Sequence, residues 1–279
     1  MKNILIPTDF SDNAWNALVY GISFFKKTHC TFHIVHVNAI NTNASGEAAM
    51  YVSPEILEST ILAESREQLK DLSHRIEQLP LNVKHEFHFK AIYGFLTDQL
   101  KDLVKKKNID LIIMGTKGAS GLQSVAIGSN TGNVITKVPC TLMAVPEDAT
   151  YEKIEEIGFP SDLNLAYNVR ILDTIKDIIL LKKSALRLLY VSSKGEELNA
   201  NQIKIKNLLL DYYKETECTF HEVTGKHIDE SVQCFTESRN LDMLIMVAKN
   251  LNFLERILFR PTVEKISYHT KVPFLVIHE

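Results

Sequence analysis

A group of glycines and a serine follows one apolar run. Leu111-Ile112-Ile113-Met114 leads into Gly115, then Gly118, then the pair Gly128-Ser129. Glycine tolerates φ > 0 and lets backbone N–H groups come close to a ligand. Successive N–H groups can form a nest for an anion. A helix opening at Gly128-Ser129 would add its unsatisfied N–H groups and the positive end of its dipole. The chemistry on offer is therefore phosphate held by backbone, with Ser129, Asn130 and Thr131 as side-chain donors. Plain turn glycines would give the same count, and neither GxxxxGK[ST] nor GxGxxG is present. Lys117, between the glycines, has two readings, a point charge on a phosphate or a solvent-facing cation.

Asp9 is the candidate acid. It stands in Pro7-Thr8-Asp9, after the apolar run Asn3-Ile4-Leu5-Ile6, where it could orient a metal or polar ligand groups or simply cap a loop. His33 with His36 and His85 with His88 are spaced three apart, which on a strand sends the two rings to opposite faces. Neither pair is expected to share a metal. Cys30, Cys140, Cys218 and Cys234 form no CxxC, so reduced thiols and no structural zinc are expected. GxSxG and HExxH are missing, leaving hydrolase chemistry without local support.

The elements that must position these residues occur twice. NIDLIIMG (108–115) matches NLDMLIMV (240–247), FHIVHV (32–37) matches LRLLYV (186–191), and TKVPCTLMAVP (136–146) matches TKVPFLVIHE (270–279). Pro7-Thr8-Asp9 lines up with Pro160-Ser161-Asp162. Four blocks in one order indicate duplication. In the first half, strands are expected near 2–7, 31–37, 82–89, 109–114 and 140–145, and helices near 11–27, 54–78, 95–107 and 128–137. In the second, strands are expected near 153–158, 186–191, 218–223, 242–247 and 273–278. Strands alternating with longer amphipathic runs favour a parallel sheet covered by helices on both faces. Ser11 or Asp12 can cap the first helix, and Ser53 with Pro54 opens the next. Trp15, among Ala14, Ala17 and Leu18, reads as packing. The stretch 38–52 is small and polar, a long loop of the kind that can serve as a lid. The second half lacks it, with a helix expected within about six residues of Val191. The boundary falls near 148, giving halves of 1–148 and 149–279.

The spacing Gly115, two residues, Gly118, nine residues, Gly128-Ser129 resembles the GxxGx₉G[ST] motif of the universal stress protein family. ILIPTDFSDNA and VPCTLMAVP look like that family's first and fifth strand regions. The resemblance covers almost all of the first half and, more weakly, the second. It implies an α/β fold of two doubly wound five-stranded parallel sheets, each in the order 3-2-1-4-5. The fold would be Rossmann-like, related to the adenine nucleotide α-hydrolases, and arranged as an intrachain pseudo-dimer. It also implies ATP between the first and fourth strands. Pro7, Thr8 and Asp9 would line the base and ribose side, and Val37 would contact adenine. Met114 and Gly115 would flank the ribose and first phosphate. Gly118, Gly128, Ser129 and Asn130 would hold the phosphates, bridged by a divalent ion such as Mg²⁺. Family members often have Val or Ser where Asn130 stands.

The second copy departs from the motif. Gly115, Gly118, Gly128 and Ser129 correspond to Val247, Asn250, Arg260 and Pro261. Valine adds β-branched bulk where backbone must approach, and proline removes an N–H from the helix start. Arg260 could bind an anion by its side chain or fill the site. The second half is thus expected not to bind ATP in the family's way.

Composition narrows the classes further. The chain has 279 residues, 45% hydrophobic and 23% charged, with a formal charge of −3, ordinary for a globular protein and without pull on nucleic acid. No apolar run nears the ~20 residues of a membrane span, and the start is too short for a signal-peptide core, so a cytoplasmic protein is expected. Lys105-Lys106-Lys107 reads as a solvated helix end. The apolar fifth strands would leave exposed sheet edges, which the two halves can pair with each other, leaving room for a further homodimer. The expected function is ATP-linked stress response or regulation. Any hydrolysis or self-phosphorylation should be slow, since no dedicated base is visible. Two other classes stand beside it: a nucleotide-independent scaffold with vestigial pockets, and an enzyme of the wider superfamily, against which the missing SGGxDS loop counts.

Overall fold

Continuous apolar runs make strands buried on both faces, and the chain alternates them with helices throughout. The computed structural model describes residues 1–39, 54–116, 128–164, 167–193, 195–249, 251–258 and 272–278. Most of the 38–52 loop, Ser53, Lys117, Gly118, Asn250, Arg260 and Pro261 therefore lie outside the described residues. The first half runs β1 (Lys2–Pro7), α1 (Asp12–Phe24), β2 (Cys30–Asn38), α2 (Pro54–Glu77), β3 (His85–Tyr93), α3 (Leu96–Lys106), β4 (Leu111–Gly115), α4 (Ser129–Lys137) and β5 (Leu142–Val145). The second runs β6 (Glu156–Pro160), α5 (Val169–Lys182), β7 (Ala185–Ser192), α6 (Ala200–Tyr212), β8 (Cys218–Thr224), α7 (Ile228–Ser238), β9 (Met243–Val247), α8 (Leu251–Leu258) and β10 (Phe274–Ile277).

The strand order is β3-β2-β1-β4-β5-β10-β9-β6-β7-β8. Each half thus has the expected 3-2-1-4-5 order, all parallel within itself. The two halves meet at β5 and β10, which pair antiparallel through Ala144–Phe274, Met143–Leu275 and Leu142–Val276. These six side chains are at most 1% exposed, so pairing removes the apolar edges that each half would otherwise present. The arrangement fits an intrachain pseudo-dimer. One core lies under α1, α2, α5 and α6 and continues through both halves. A second lies under α3, α4, α7 and α8 on the other face. Asn16 on α1 fastens the connection between the halves, its Nδ2 donating toward the carbonyls of Pro146, Glu147 and Ala149 at 3.0–3.1 Å.

Repeated sequence gives repeated local structure. Asn108 and Asn240 both take left-handed backbone (φ 47° and 49°) just past α3 and α7, where Asn is among the few residues that do so readily. The Asp two residues later then accepts from backbone at the start of the neighbouring strand. Asp110 Oδ2 takes Asn3 N–H at 2.7 Å, and Asp242 Oδ2 takes Glu155 and Glu156 N–H at 2.7 and 2.9 Å.

Two expectations need adjusting. The third strand runs 85–93 instead of 82–89, because Asn82 forms a turn, accepting from Lys84 N–H and His85 N–H before the strand begins. In the second half, α6 starts at Ala200, nine residues after Val191, where Asn199 and Gln202 form a capping box.

Candidate functional site

The site begins where two strands part. β1 and β4 pair only through Ile4–Leu111 and Leu5–Ile112. Beyond that, β1 pairs with β2 as far as Pro7–Val35, and β4 with β5 as far as Gly115–Val145. Their carboxyl ends diverge at the point where strand order reverses, which is where open α/β sheets bind ligands. The residues expected from the sequence at 7–9, 37, 114–115 and 128–130 come from four segments that end or begin around this crevice.

The loop after β1 is tightly bonded. Thr8 N–H donates to Val35 O at 2.8 Å, and Thr8 Oγ1 accepts from Phe10 N–H at 3.0 Å. Asp9 Oδ1 accepts from Ser11 N–H and Ser11 Oγ at 3.1 and 2.6 Å. Ser11 Oγ in turn accepts from Ala14 N–H at 3.2 Å and caps α1. Asp9 Oδ1 thus caps the loop, as one of its two readings expects. Phe10 is left-handed (φ 65°), and its ring stacks on His36 with centroids 4.6 Å apart. His36 Nδ1 lies 2.7 Å from Thr8 O. Val37, next along β2, is half-buried at this end of the sheet. The Phe10–His36 stack was not foreseen; Phe10 directly after the PTD triplet was the available signal.

The end of β4 is wedged between two helices. Asn13, in the first turn of α1 and 5% exposed, lies so close to Gly115 that a Cβ there would sit 2.6–2.8 Å from its Nδ2, Cγ and Oδ1. Real Cβ atoms do not approach that closely, so Gly115 is required by space. It is not required for left-handed backbone: among the described residues the glycines with positive φ are Gly94 and Gly195. The sequence reading of φ > 0 at this glycine is corrected accordingly. Thr131, buried in the first turn of α4, donates its Oγ1 to Gly115 O at 2.7 Å. Met114, just before, is buried in the core under α3 and α4.

The start of α4 follows directly. Gly128 N–H donates to Thr116 O, and Gly132 N–H closes the first helical turn on Gly128 O at 3.0 Å. Gly128 is the N-cap and supplies no side-chain cap. The backbone N–H groups of Ser129, Asn130 and Thr131 thus have no intrahelical acceptor, and Ser129 and Asn130 are exposed. Because the Gly128 N–H is already engaged, an anion at this helix start would meet the N–H groups of 129–131. Gly118 lies outside the described residues.

The second half repeats the loop and adds side-chain bonds around it. Ser161 N–H donates to Leu189 O at 2.9 Å, Ser161 Oγ accepts from Leu163 N–H at 3.0 Å, and Asp162 Oδ1 accepts from Asn164 N–H at 3.1 Å. Leu163 is left-handed like Phe10 (φ 55°). Here, however, Tyr167 hydroxyl lies 2.7 Å from Ser161 Oγ, and burial pushes that phenol well above its ordinary pKa. Gln202 donates Nε2 to Asp162 O and Tyr190 hydroxyl, both at 3.2 Å. Tyr190 holds the register position of His36. Val247, in the place of Gly115, is buried.

The histidines pair in a way the spacing argument did not reach. His33 stacks on His88 across β2 and β3, centroids 5.4 Å apart, as direct register partners. Among the described residues no group of three or more His, Cys, Asp or Glu is placed to hold a metal ion.

An α/β sheet whose strands splay beside a glycine-lined helix start defines the class of doubly wound nucleotide-site folds. The family model of the universal stress protein family matches residues 1–146 and 169–278, and the chain belongs to that family. Universal stress protein Slr1230 of Synechocystis sp. is 24% identical over 99% of both chains. Universal stress protein MJ0531 of Methanocaldococcus jannaschii is 27% identical over 52% of this chain and 81% of its own. A crystal structure of a universal stress protein from Archaeoglobus fulgidus superposes with a TM-score of 0.71 at 17% identity, covering 99% of this chain and 98% of the other, a likeness of fold. Among the described residues no helix is long and apolar enough to cross a membrane.

Proposed function

We propose that this member of the universal stress protein family is a stress-response regulator that binds ATP in its first half only, 1–148, while the second half, 149–279, is a degenerate partner. The observation that carries this reading is the asymmetry at the two crevices. In the first, a glycine that only space requires adjoins a helix start with open N–H groups. In the second, valine stands in the glycine's place, and Tyr167 and Gln202 bond the loop carbonyl and hydroxyl. An anion at the α4 start gains charge-assisted hydrogen bonds and the positive dipole end. The base and ribose side would rest on Pro7, Thr8, Asp9 and Met114, with adenine near Val37. Gly115, Gly118, Gly128, Ser129 and Asn130 would face the phosphates. Mg²⁺, if carried, would be held by phosphate oxygens and water.

The residues present bind and orient better than they react. Asp9 Oδ1 is engaged by Ser11 and no dedicated base for in-line phosphoryl transfer stands among these residues, so turnover should be slow and the chain a sensor. To test this, purified protein is denatured and released nucleotide assayed, and ATP is titrated into wild type and Gly128→Arg. Wild type should bind one ATP per chain and the variant should lose at least tenfold in affinity. Absence of nucleotide and of binding in wild type sinks the proposal, and equal binding by both misplaces the site.

A further inference from the structure

A cavity of about 450 Å³ lies where the two halves meet, away from both crevices. It is lined by Lys26, Lys27, Lys153, Lys182 and Lys183, over a floor that includes Phe24, Tyr151 and Leu181. Five lysines and no carboxylate line it. Lys153 pairs with Glu155 outside the lining. Lys26 and Lys27 follow α1, Lys182 ends α5, and Lys183 is its left-handed cap (φ 58°). Lysine at a helix end normally offsets the terminal carbonyls. That explains Lys182 in part, since its Nζ donates to Phe24 O, at the end of α1. It does not explain four further cations gathered around one hollow.

Lys182 differs from the rest. Its Nζ lies 3.3 Å from the Phe24 ring centroid and 5.1 Å from that of Tyr151, with Tyr151 hydroxyl at 3.4 Å. Tyr20 closes the aromatic group edge-on to Tyr151 at 5.4 Å. The charged or titratable groups facing it are Lys26 and Lys27 from the end of α1, Tyr151 and Lys153 from the connection, and Lys183 from its own helix. Desolvation first, then Lys26 and Lys27, push its ammonium down to about 7. Desolvation and neighbouring cations are the two ways a lysine amine becomes a nucleophile at neutral pH.

We propose that this cavity is a lysine-acylation site, in which Lys26, Lys27, Lys153 and Lys183 hold the phosphate of a short acyl phosphate and Lys182 Nζ takes its acyl group. The apolar floor suits the acyl chain and the ammonium rim suits the dianion. The neutral amine attacks the carbonyl carbon, a C–N bond forms, and the C–O bond to phosphorus's oxygen breaks. Inorganic phosphate leaves, and the amine proton passes to it or to water. The product is a neutral amide, which removes one positive charge from the junction of the halves.

The test uses the full chain and acetyl phosphate, with site occupancies followed by peptide mass spectrometry from pH 6 to 9. An ordinary lysine with a pKa near 10.4 has roughly a thousandfold less free amine at pH 7 than one with a pKa of about 7. Part of that gain is offset by lower basicity. Lys182 should therefore acetylate at least tenfold faster at pH 7 than Lys105, Lys106 or Lys107, and its rate should level off by about pH 8 while theirs still climb. Inorganic phosphate should compete with acetyl phosphate and not with acetic anhydride, a neutral donor. Lys26→Ala/Lys27→Ala should slow the reaction with acetyl phosphate more than that with the anhydride, since both donors lose the free amine that the two cations favour and only the first also loses its phosphate contacts. The preference should vanish in urea. Equal rates at Lys182 and the three surface lysines overturn the proposal. A preference seen with acetic anhydride but not with acetyl phosphate overturns it as well, because the phosphate-holding rim would then be without function.

Discussion

Gly115→Val makes the first half resemble the second at one atom-scale contact, and its cost can be worked from the structure. The new Cβ falls 2.6–2.8 Å from three atoms of the Asn13 amide. Asn13 is 5% exposed at the start of α1, so it cannot swing into solvent without moving the loop that follows β1. Overpacking of this kind costs about 1–3 kcal/mol, and valine's strand preference returns at most ~1. A net loss of about 2 kcal/mol is expected from urea unfolding. Asn13→Ala alone should cost about 1 kcal/mol by emptying the contact. The double variant should cost no more than that, a coupling of about 2 kcal/mol, within the range for touching residues. ATP affinity, read by calorimetry, should fall at least tenfold in Gly115→Val and should not return in the double variant, since the isopropyl group still stands beside the ribose side. Single-variant costs that simply add would refute the claim that Asn13 dictates glycine at 115.

Three further outcomes are expected. Folding holds Lys182 near pH 7 against about 10.4 unfolded, so the unfolded chain binds more protons between those values. Stability should then rise as pH increases from about 7 to 10 and carry the full cost below 7; by urea unfolding the rise should be on the order of 2 kcal/mol after solvent screening, and Lys182→Met should flatten it. Tyr167→Phe leaves Ser161 Oγ short of a partner and should cost about 1 kcal/mol, yet calorimetry should still count one ATP per chain. Exposed Cys234 should react first with a thiol reagent, while Cys30 and Cys140, buried and pushed up to about 11 and about 12, react only as the protein unfolds.

Strand order was legible only through the resemblance to the family, whereas the parallel sheet covered on both faces could be read from apolar runs alternating with helical ones, and the repeat doubled the evidence for each element. Pairing of β5 with β10 followed from apolar edges that needed cover. The crevice was legible through its glycines, but the reason for one of them was not. Gly115 answers a side chain a hundred residues earlier, and no local pattern announces that Asn13 will be folded against it. The Thr131–Gly115 bond and the Phe10–His36 stack escaped for the same reason, since each acts through a partner distant in sequence. Strand β3 was misplaced by three residues because the Asn82 turn competes with a strand-like composition.

Duplication allows folding and ligand chemistry to be separated, since whatever both halves keep does not by itself require ATP. Both keep the Thr/Ser–Asp loop, with matching bonds from Thr8 and Ser161, from Asp9 and Asp162, and matching left-handed residues at Phe10 and Leu163. Both keep the Asn-x-Asp stitch at 108–110 and 240–242. Asp9 Oδ1 therefore has a folding role, since Asp162 uses the same oxygen in the same way in the second half, and that role stands beside the ribose-side one proposed for it. The differences include Gly115 against Val247, His36 against Tyr190, and the helix after the second strand, where Gln202 reaches the loop carbonyl, and in sequence also Gly118 against Asn250, Gly128 against Arg260 and Ser129 against Pro261. On the proposed reading, the ligand-dependent part of this fold is drawn from few positions, around Gly115 and the start of α4. One copy could lose it without losing the sheet that joins it to the other.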